Sequence, residues 1–247
     1  MKATMRIVCL VLFGAAVCSA AGDVDALLDQ ASYLFFNRHL DPGNLDSAYA
    51  LLLQGRNQDP HNERCLYLWS RIHVQKGDMA DCRAWKLECF TRARAIAETL
   101  MTLNPDNANA HVWWAVAHGR VGQTRGVLNS LFMIPALKRE ANRAMELDPA
   151  NATIYDVLGV FHYEVPGFAG GDIRKSVEYL TKGIELDPNY SLLHLDLAKT
   201  YIALKRWSDA RDQLQAVLAT ENPTYPADTE LDDKPDATKL LEGIKNK

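Results

Sequence analysis

The sequence contains none of the short motifs that mark common catalytic centres. It has no Gly-x-Ser-x-Gly nucleophile turn, no His-Glu-x-x-His metal motif and no Gly-Lys-Ser/Thr phosphate loop. It also lacks a basic excess, since 27 Lys and Arg stand against 31 Asp and Glu, a formal net charge of −4. Binding of nucleic acid calls for clustered Lys and Arg. The sequence therefore predicts a protein that is not an enzyme, uses no cofactor or metal, and binds no nucleic acid.

Long apolar runs are confined to the N-terminus. Lys2 and Arg6 precede the run "IVCLVLFGAAVCSA", which ends in small residues. This is the layout of a secretory signal peptide, and the run is too short to cross a bilayer comfortably. A lipid anchor at Cys18 is disfavoured because the small-residue box before it ends in Val17 rather than Ala or Gly. We expect a signal peptide over residues 1–21 and a periplasmic or secreted mature protein.

Cysteine is scarce as well. Removal of the signal peptide would leave Cys65, Cys82 and Cys89. An odd number leaves open one disulfide with a free thiol, or none. Cys82 and Cys89 would lie about 10 Å apart on a continuous helix, beyond disulfide reach. We expect the cysteines to serve as small buried hydrophobic residues.

What the sequence does contain is an internal repeat. Four segments resemble one another, "RNQDPHN", "MTLNPDN", "MELDPAN" and "IELDPNY", and "TENPTY" adds a fifth. Their prolines, at 60, 105, 149, 188 and 223, are 45, 44, 39 and 35 residues apart. A tetratricopeptide (TPR) repeat has about 34 residues. Because each Asx-Pro can end one helix and start the next, the segments predict TPR-like repeats with extra residues.

The register after each proline supports this interpretation. Each proline is followed by four characteristic residues. A large residue comes six positions after the proline and a second large residue comes three positions later. A small residue follows directly, and three positions after it comes a residue with a ring side chain. The positions are Leu66, Trp69, Ser70 and His73; His111, Trp114, Ala115 and His118; Tyr155, Leu158, Gly159 and His162; and His194, Leu197, Ala198 and Tyr201. We predict an all-α, TPR-like right-handed α-solenoid of about five helix pairs over residues 22–223, with inserted intra-repeat loops. Residues 224–247 are expected to form an acidic linker and a capping helix from Asp236 to about Lys245.

The extra residues fall between the first and second helices of a repeat. They are "KGDMADCRAWKLE", "GRVGQTRGVLNSLFMI" and "VPGFAGG". In a solenoid these insertions project from one edge, which is often the binding face. The Gly-rich third insertion lacks the Lys-Ser/Thr of a phosphate loop. We predict that the rim of a binding surface is formed by Val127, Leu128, Leu131, Phe132 and Phe168.

The predicted concave face is apolar. Residues at fixed positions of the first helices line such a groove, and those we select are Tyr67, Val112, Val116, Val160, Tyr163, Leu195 and Ile202. The sequence leaves open whether the groove takes a ligand or partner or is filled by the chain's own loops. His73, His118 and His162 recur at one repeat position. Helices about 8–10 Å apart cannot bring them to the roughly 2 Å that zinc requires, so we predict ring packing instead.

Three segments resemble a known family. They are "AHVWWAVAHGRVG", "DVLGVFHYEVPGFAGGDIRKSVEYLTKGIELDPNY" and "LHLDLAKTYIALKRWSDARDQL". Over roughly Ala108 to Leu241 the chain resembles the T-component proteins of TRAP transporters and, more distantly, the regulator-of-microtubule-dynamics TPR proteins. T-components are all-helical periplasmic or lipid-anchored proteins that bind the extracytoplasmic solute-binding protein, form threefold oligomers and carry a hydrophobic pore.

The resemblance implies a function without catalytic residues. It implies a periplasmic TPR protein that acts as a partner-binding component of a TRAP-type solute uptake system. The groove would then take an apolar small molecule, and the protein would form a homo-oligomer, a trimer by resemblance. The alternative is a general envelope scaffold that mediates protein–protein interactions without a small-molecule ligand.

Overall fold

The computed structural model describes the backbone of residues 16–247 and the side chains of residues 24–126 and 130–247. Within this part of the chain there is no strand, and ten helices form five consecutive pairs. The pairs are α1 (Ala16–Phe36) with α2 (Asn44–Gln58), α3 (Glu63–Asp78) with α4 (Arg83–Leu103), α5 (Ala108–Arg125) with α6 (Val127–Leu147), α7 (Ala152–Glu164) with α8 (Ile173–Leu186), and α9 (Ser191–Ala203) with α10 (Trp207–Ala219). The predicted all-α, TPR-like arrangement is confirmed. Residues 1–15 of the expected signal peptide lie outside the described residues, and α1 begins at Ala16.

The Asx-Pro segments separate the pairs as predicted. Asn62, Asn107 and Asn151 each lie two residues after a proline, and their side chains accept hydrogen bonds from backbone amides in the first turn of α3, α5 and α7. Such N-caps satisfy amides that have no partner within the helix. The same short motif therefore ends one repeat and begins the next.

The large residue six positions after the proline holds this turn in place. His111 Nε2 lies 2.9 Å from the Pro105 carbonyl oxygen, Tyr155 Oη donates to the Pro149 oxygen at 2.9 Å, and His194 Nε2 lies 3.2 Å from the Pro188 oxygen. His111 Nδ1 also contacts the Glu140 carboxylate at 2.8 Å. Each contact pins a helix start to the end of the helix before it.

Small residues let the paired helices approach closely. Ser70 Oγ donates to the Ala93 carbonyl oxygen on α4 at 3.0 Å. A Cβ at Gly159 would lie only 2.5 Å from Leu180 Cγ on α8. Position and residue size together set the spacing of each pair.

Most of the extra residues lengthen helices. Only residues 79–82 separate α3 from α4, and Gly126 alone separates α5 from α6. Gly126 has a φ of 97°, a conformation that side chains other than glycine rarely adopt. The third insertion forms a loop with a 3₁₀ turn, Gly167–Ala169. Apolar residues three apart, such as Leu131 and Ile134, lie on one helix face, which explains why the second insertion folds as α6 rather than as a loop.

The segment after Pro223 differs from the expected acidic linker. It is helical from its start, as α11 (Pro226–Asp228), a π-helix (Thr229–Asp233) and α12 (Lys234–Gly243). We call residues 225–233 the tail. In α12, Ala237 and Ile244 just beyond it are buried with Leu214 of α10, so this helix covers the last pair. The tail takes another course, across the concave face, where Thr229 and Asp233 are buried.

Candidate functional site

An open cleft of about 550 Å³ lies between α5, α6, α7 and α9. The helices that border it come from successive repeats, and α5, α6 and α7 contribute most of its lining. Its apolar lining includes Val116, Leu131, Ile134, Leu137, Val157, Val160, Phe161 and Leu192. A volume of this size falls within the range of small-molecule sites, which are mostly apolar with a few polar groups.

Three residues selected from the sequence lie together in this cleft. They are Val116 on α5, Leu131 on α6 and Val160 on α7. All three are half-buried. The cleft is thus built from two predicted groove positions and one predicted rim position.

The other predicted groove residues lie elsewhere. Val112 and Leu195 are 1% and 2% exposed and belong to the core. Tyr67 packs against the core near α1 and α3, and Ile202 against the core formed with α12. Tyr163 is exposed. Part of the concave face is therefore filled by the protein itself.

The remaining rim residues do not close the cleft. Phe132 and Phe168 are 87% and 86% exposed. Phe132 lies in the second turn of α6, and Phe168 lies in the connection between α7 and α8. The side chains of Val127 and Leu128 lie outside the described residues.

A buried carboxyl group forms the polar part of the cleft. Asp156 on α7 is 7% exposed and lies one helical turn before Val160. Its Oδ1 atom has no hydrogen-bond partner among the described residues. Burial, and then the nearby charges of Asp196 and Asp233, hold the pKa of Asp156 well above its usual value.

The basic groups near this carboxyl already have partners. Lys199 Nζ lies 2.8 Å from Asp196 Oδ1, one turn away on α9. Burial lowers the pKa of Lys199, but the Asp196 carboxylate outweighs it and the net direction is upward. Arg120 Nε on α5 lies 3.3 Å from Asp78 Oδ1. Both cations therefore already have carboxylate partners.

The tail occupies the concave face on the side of α1 and α3. Arg71 of α3, only 4% exposed, lies where the tail meets this face. Its guanidinium is 4.7 Å from the ring centre of Phe36 and 4.5 Å from the ring centres of Trp113 and Tyr225. Cation–π contacts of this kind are strongest where the cation is removed from water. Tyr225 also stacks on Phe36, with ring centres 5.6 Å apart.

Acidic groups of the tail complete this contact. Asp228 Oδ1 pairs with Arg38, a residue that follows α1 and is 5% exposed. Asp228 Oδ2 lies 3.8 Å from Arg71 Nη2. Asp232 Oδ2 lies 3.5 Å from the same Arg38 group. The acidic tail therefore docks on two buried arginines of the N-terminal repeats.

The far end of the tail is held by α9. Ser191 Oγ lies 2.6 Å from both Asp233 Oδ2 and Thr229 Oγ1, and Thr229 Oγ1 donates to the Tyr225 carbonyl oxygen at 3.0 Å. Burial raises the pKa of Asp233 to about 7, although the Ser191 hydroxyl favours the charged form. The tail thus joins the first repeats to the last.

Sequence reasoning missed the tail. Arg38, Arg71, Tyr225 and Asp228 were not among the residues selected from the sequence. Arg38 and Asp228 are 190 residues apart, and their contact occurs once rather than in every repeat. The only available signal was charge, since Asp228, Asp232 and Asp233 are close together in a segment opposite two buried arginines.

The recurring histidines pack against rings. His118 stacks on Trp114 with ring centres 4.3 Å apart, and His162 stacks on Tyr179 of the paired helix at 5.5 Å. His73 lies 5.7 Å from Tyr49, edge on. Within residues 24–126 and 130–247, no group of three or more His, Cys, Asp or Glu side chains is placed to hold a metal ion.

Cys65, Cys82 and Cys89 are free thiols. Cys65 and Cys89 are buried, as expected, whereas Cys82 is exposed at the start of α4. Burial raises the pKa of the Cys65 thiol to about 11, which keeps it protonated and unreactive at neutral pH. In the part of the chain that the structure describes, no helix has both the length and the apolar character needed to span a membrane.

Helix pairs, Asx-Pro boundaries and an apolar concave cleft define a TPR protein, and a tetratricopeptide-repeat family model matches residues 168–227. The model of the family "Regulator of microtubule dynamics protein 1-3" matches residues 27–169, which is more than half of the 247 residues. The chain belongs to this regulator-of-microtubule-dynamics family. Families of this kind are typically non-catalytic scaffolds, and TPR domains generally bind proteins.

Individual relatives agree with the family match. Regulator of microtubule dynamics protein 1 from Bos taurus is 27% identical, with 91% of this chain and 73% of that protein covered. Protein 3 from Bos taurus is 22% identical, with 82% of this chain and 46% of that protein covered. Among solved structures, a thermophilic TPR protein from Thermus thermophilus superposes with a TM-score of 0.65 at 15% identity, covering 90% of this chain and 99% of that one. This last likeness concerns the fold alone.

Proposed function

We propose that this protein is a non-enzymatic binding protein that holds an apolar ligand in the cleft between α5, α6, α7 and α9. The observation that carries the proposal is the open cleft itself, about 550 Å³ and lined mainly by apolar side chains. The tail covers another part of the concave face and leaves this part uncovered. Ligand binding is therefore favoured over burial of the groove by the chain's own segments.

A protein partner fits the exposed edge beside the cleft. Phe132 near the start of α6 and Phe168 in the α7–α8 connection are both more than four-fifths exposed. Large aromatic side chains are enriched at protein interfaces and depleted from water-exposed surfaces. The partner-binding role that TPR proteins generally have is thus assigned to this edge, next to the ligand.

The resemblance to T-components gives a finer form of this proposal. The partner would be the extracytoplasmic solute-binding protein of a TRAP-type uptake system, and the protein would be periplasmic and oligomeric. The signal-like N-terminus supports the compartment, whereas the match to the regulator-of-microtubule-dynamics family adds nothing to the transporter role. Co-precipitation of the tagged chain with such a binding protein from the same genome tests it, and a partner found only inside the cytoplasm would contradict it.

The ligand proposal is tested by Val160→Asp. Val160 is half-buried in the cleft wall, so an added charge should expel an apolar molecule at little cost to the fold. We expect organic extracts of the purified wild type, analysed by mass spectrometry, to contain an apolar compound that the variant has lost. Leu218→Asp on α10 is the matched control, because Leu218 is 39% exposed outside the cleft.

Two results would contradict the ligand proposal. One is the absence of any co-purifying apolar compound together with no thermal shift on addition of fatty acids. The other is retention of the compound by folded Val160→Asp. If that variant fails to fold, Leu131→Asp on the opposite wall makes the same test.

A further inference from the structure

Asp156 is a polar group placed for a ligand. It is only 7% exposed, faces the cleft, and its Oδ1 atom lacks a hydrogen-bond partner among the described residues. A buried oxygen without a donor is costly, and such atoms usually mark a missing partner. Because Asp156 and Val160 are four residues apart on α7, they lie on the same helix face. One molecule in the cleft can therefore contact both the carboxyl and the apolar wall.

The charges around Asp156 decide what kind of donor fits. On α9, Lys199 is paired with Asp196 at 2.8 Å, and on α5, Arg120 is paired with Asp78 at 3.3 Å. The π-helix contributes Asp233, and Tyr190 before α9 adds a neutral hydroxyl. Carboxyl groups outnumber cations, and neither cation is available to Asp156. An additional cation is favoured at this point and an anion is disfavoured.

We propose that the cleft recognises a primary ammonium group at the end of an apolar chain, with Asp156 as its counter-ion. The ligand class is a long-chain amine, and the inference rests on the apolar-ligand function proposed above. The ammonium donates to the Asp156 carboxylate and the chain extends along Val160, Val116 and Leu131. An ammonium has three donors and no acceptor, which suits an acceptor that has no other partner.

Binding of the amine is expected to change the protonation of Asp156. In the free protein, burial and then the facing charges of Asp196 and Asp233 raise the pKa of Asp156 and favour its protonated form, against the opposing effect of Lys199 and Arg120. A primary amine has a pKa of about 10.4 and arrives as ammonium at neutral pH. Pairing with it favours the carboxylate, so Asp156 loses its proton to solvent on binding. The amine should bind more tightly as the pH rises toward the pKa of Asp156 in the free protein.

Dodecylamine, dodecan-1-ol and dodecanoate are suitable probes because they share one chain length. Isothermal titration of the wild-type chain should show dodecylamine binding about ten- to hundredfold tighter than dodecanol, the range expected for a charge-assisted hydrogen bond in a buried site. Dodecanoate should bind most weakly. Asp156→Asn should bring the amine and the alcohol to the same affinity.

Asp156→Asn should fold normally, since an amide replaces a neutral carboxyl of the same shape, and its melting temperature checks this. The matched control is Glu178→Gln, which makes the same carboxyl-to-amide change at a position on α8 outside the cleft and should keep the wild-type preference. A second measurement needs no variant. Titrations in two buffers of different ionisation enthalpy should show release of about one proton when wild-type protein binds the amine, and none with the alcohol.

The outcomes separate this inference from the function on which it rests. Equal affinities for amine and alcohol in the wild type, or an unchanged preference in folded Asp156→Asn, overturn the ammonium site while leaving the apolar cleft intact. Release of no proton with the amine also counts against it. Failure of every dodecyl compound to bind overturns the apolar-ligand function and the ammonium site together.

Discussion

Asp233→Asn tests how the tail is held against α9. Three short contacts link Asp233, Ser191, Thr229 and the Tyr225 carbonyl oxygen, at 2.6, 2.6 and 3.0 Å. Ser191 Oγ donates to Asp233 Oδ2, and Thr229 Oγ1 donates to the Tyr225 carbonyl oxygen. The amide oxygen of Asn can still accept from Ser191, and the amide carries no charge at any pH.

The expected magnitude follows from the pKa of Asp233. Burial, with smaller contributions from Asp228, Asp196 and Asp232, raises this pKa from 3.8 to about 7. The unfolded chain loses the proton near 3.8, whereas the folded chain keeps it until about 7. Stability that is fully present below pH 3.8 is therefore lost as the pH rises toward 7. At about 1.36 kcal/mol for each unit, the contribution is about 2–4 kcal/mol.

Urea unfolding at about pH 5 and about pH 8, on either side of the folded-state pKa, measures this effect. The free energy of unfolding of Asp233→Asn should fall less between the two pH values than that of the wild type, and at the higher pH the variant should be at least as stable. Glu242→Gln, an exposed charge on α12, is the control and should follow the wild type. The reasoning is refuted if Asp233→Asn has the wild-type pH dependence, or if it is destabilised equally at both pH values.

Three further variants test other contacts. Burial lowers the pKa of His73 to about 4, so protonation of this ring in the unfolded chain should lower stability by about 2 kcal/mol between about pH 7 and about pH 5, opposing the gain from Asp233 over the same range. Relative to the wild type, His73→Phe should therefore be more stable at about pH 5 than at about pH 7 in thermal unfolding, and an unchanged difference would contradict this. Gly159→Ala places a Cβ 2.5 Å from an atom of α8 and should cost about 1–3 kcal/mol, whereas Gly243→Ala, with nothing within 4 Å of its Cβ, should cost far less. Arg71→Met should release the tail to proteolysis and cost about 2–3 kcal/mol, while Arg64→Met, at an exposed ion pair, should do neither.

The repeat architecture was predictable because its causes are local in the sequence. Asx-Pro fixes where helices end, and the small residue next to a large one, as at Gly159, fixes how closely the pair packs. Val116 and Val160 were found in the same way, since a repeat position determines the face on which a side chain lies. Their cleft could not be outlined, because one of its walls begins in an insertion whose helical state depends on packing against α5.

The tail could not be predicted for a different reason. Its contacts with Arg38 and Arg71 join distant parts of the chain and occur only once, so no periodic pattern announces them. An acidic stretch with few apolar residues normally indicates a solvated linker. Here the buried arginines offset that tendency, and only the three-dimensional arrangement brings them to Asp228.

A solenoid in which each repeat contacts only its neighbours is elastic and can fray from either end. In this protein the tail bridges α1 and α3 on one side and α9 on the other. Because the tail fixes the distance between the first and the last repeats, it sets the curvature of the repeats between them before any ligand binds. Terminal repeats that would open independently are then expected to unfold with the rest of the molecule as one cooperative unit.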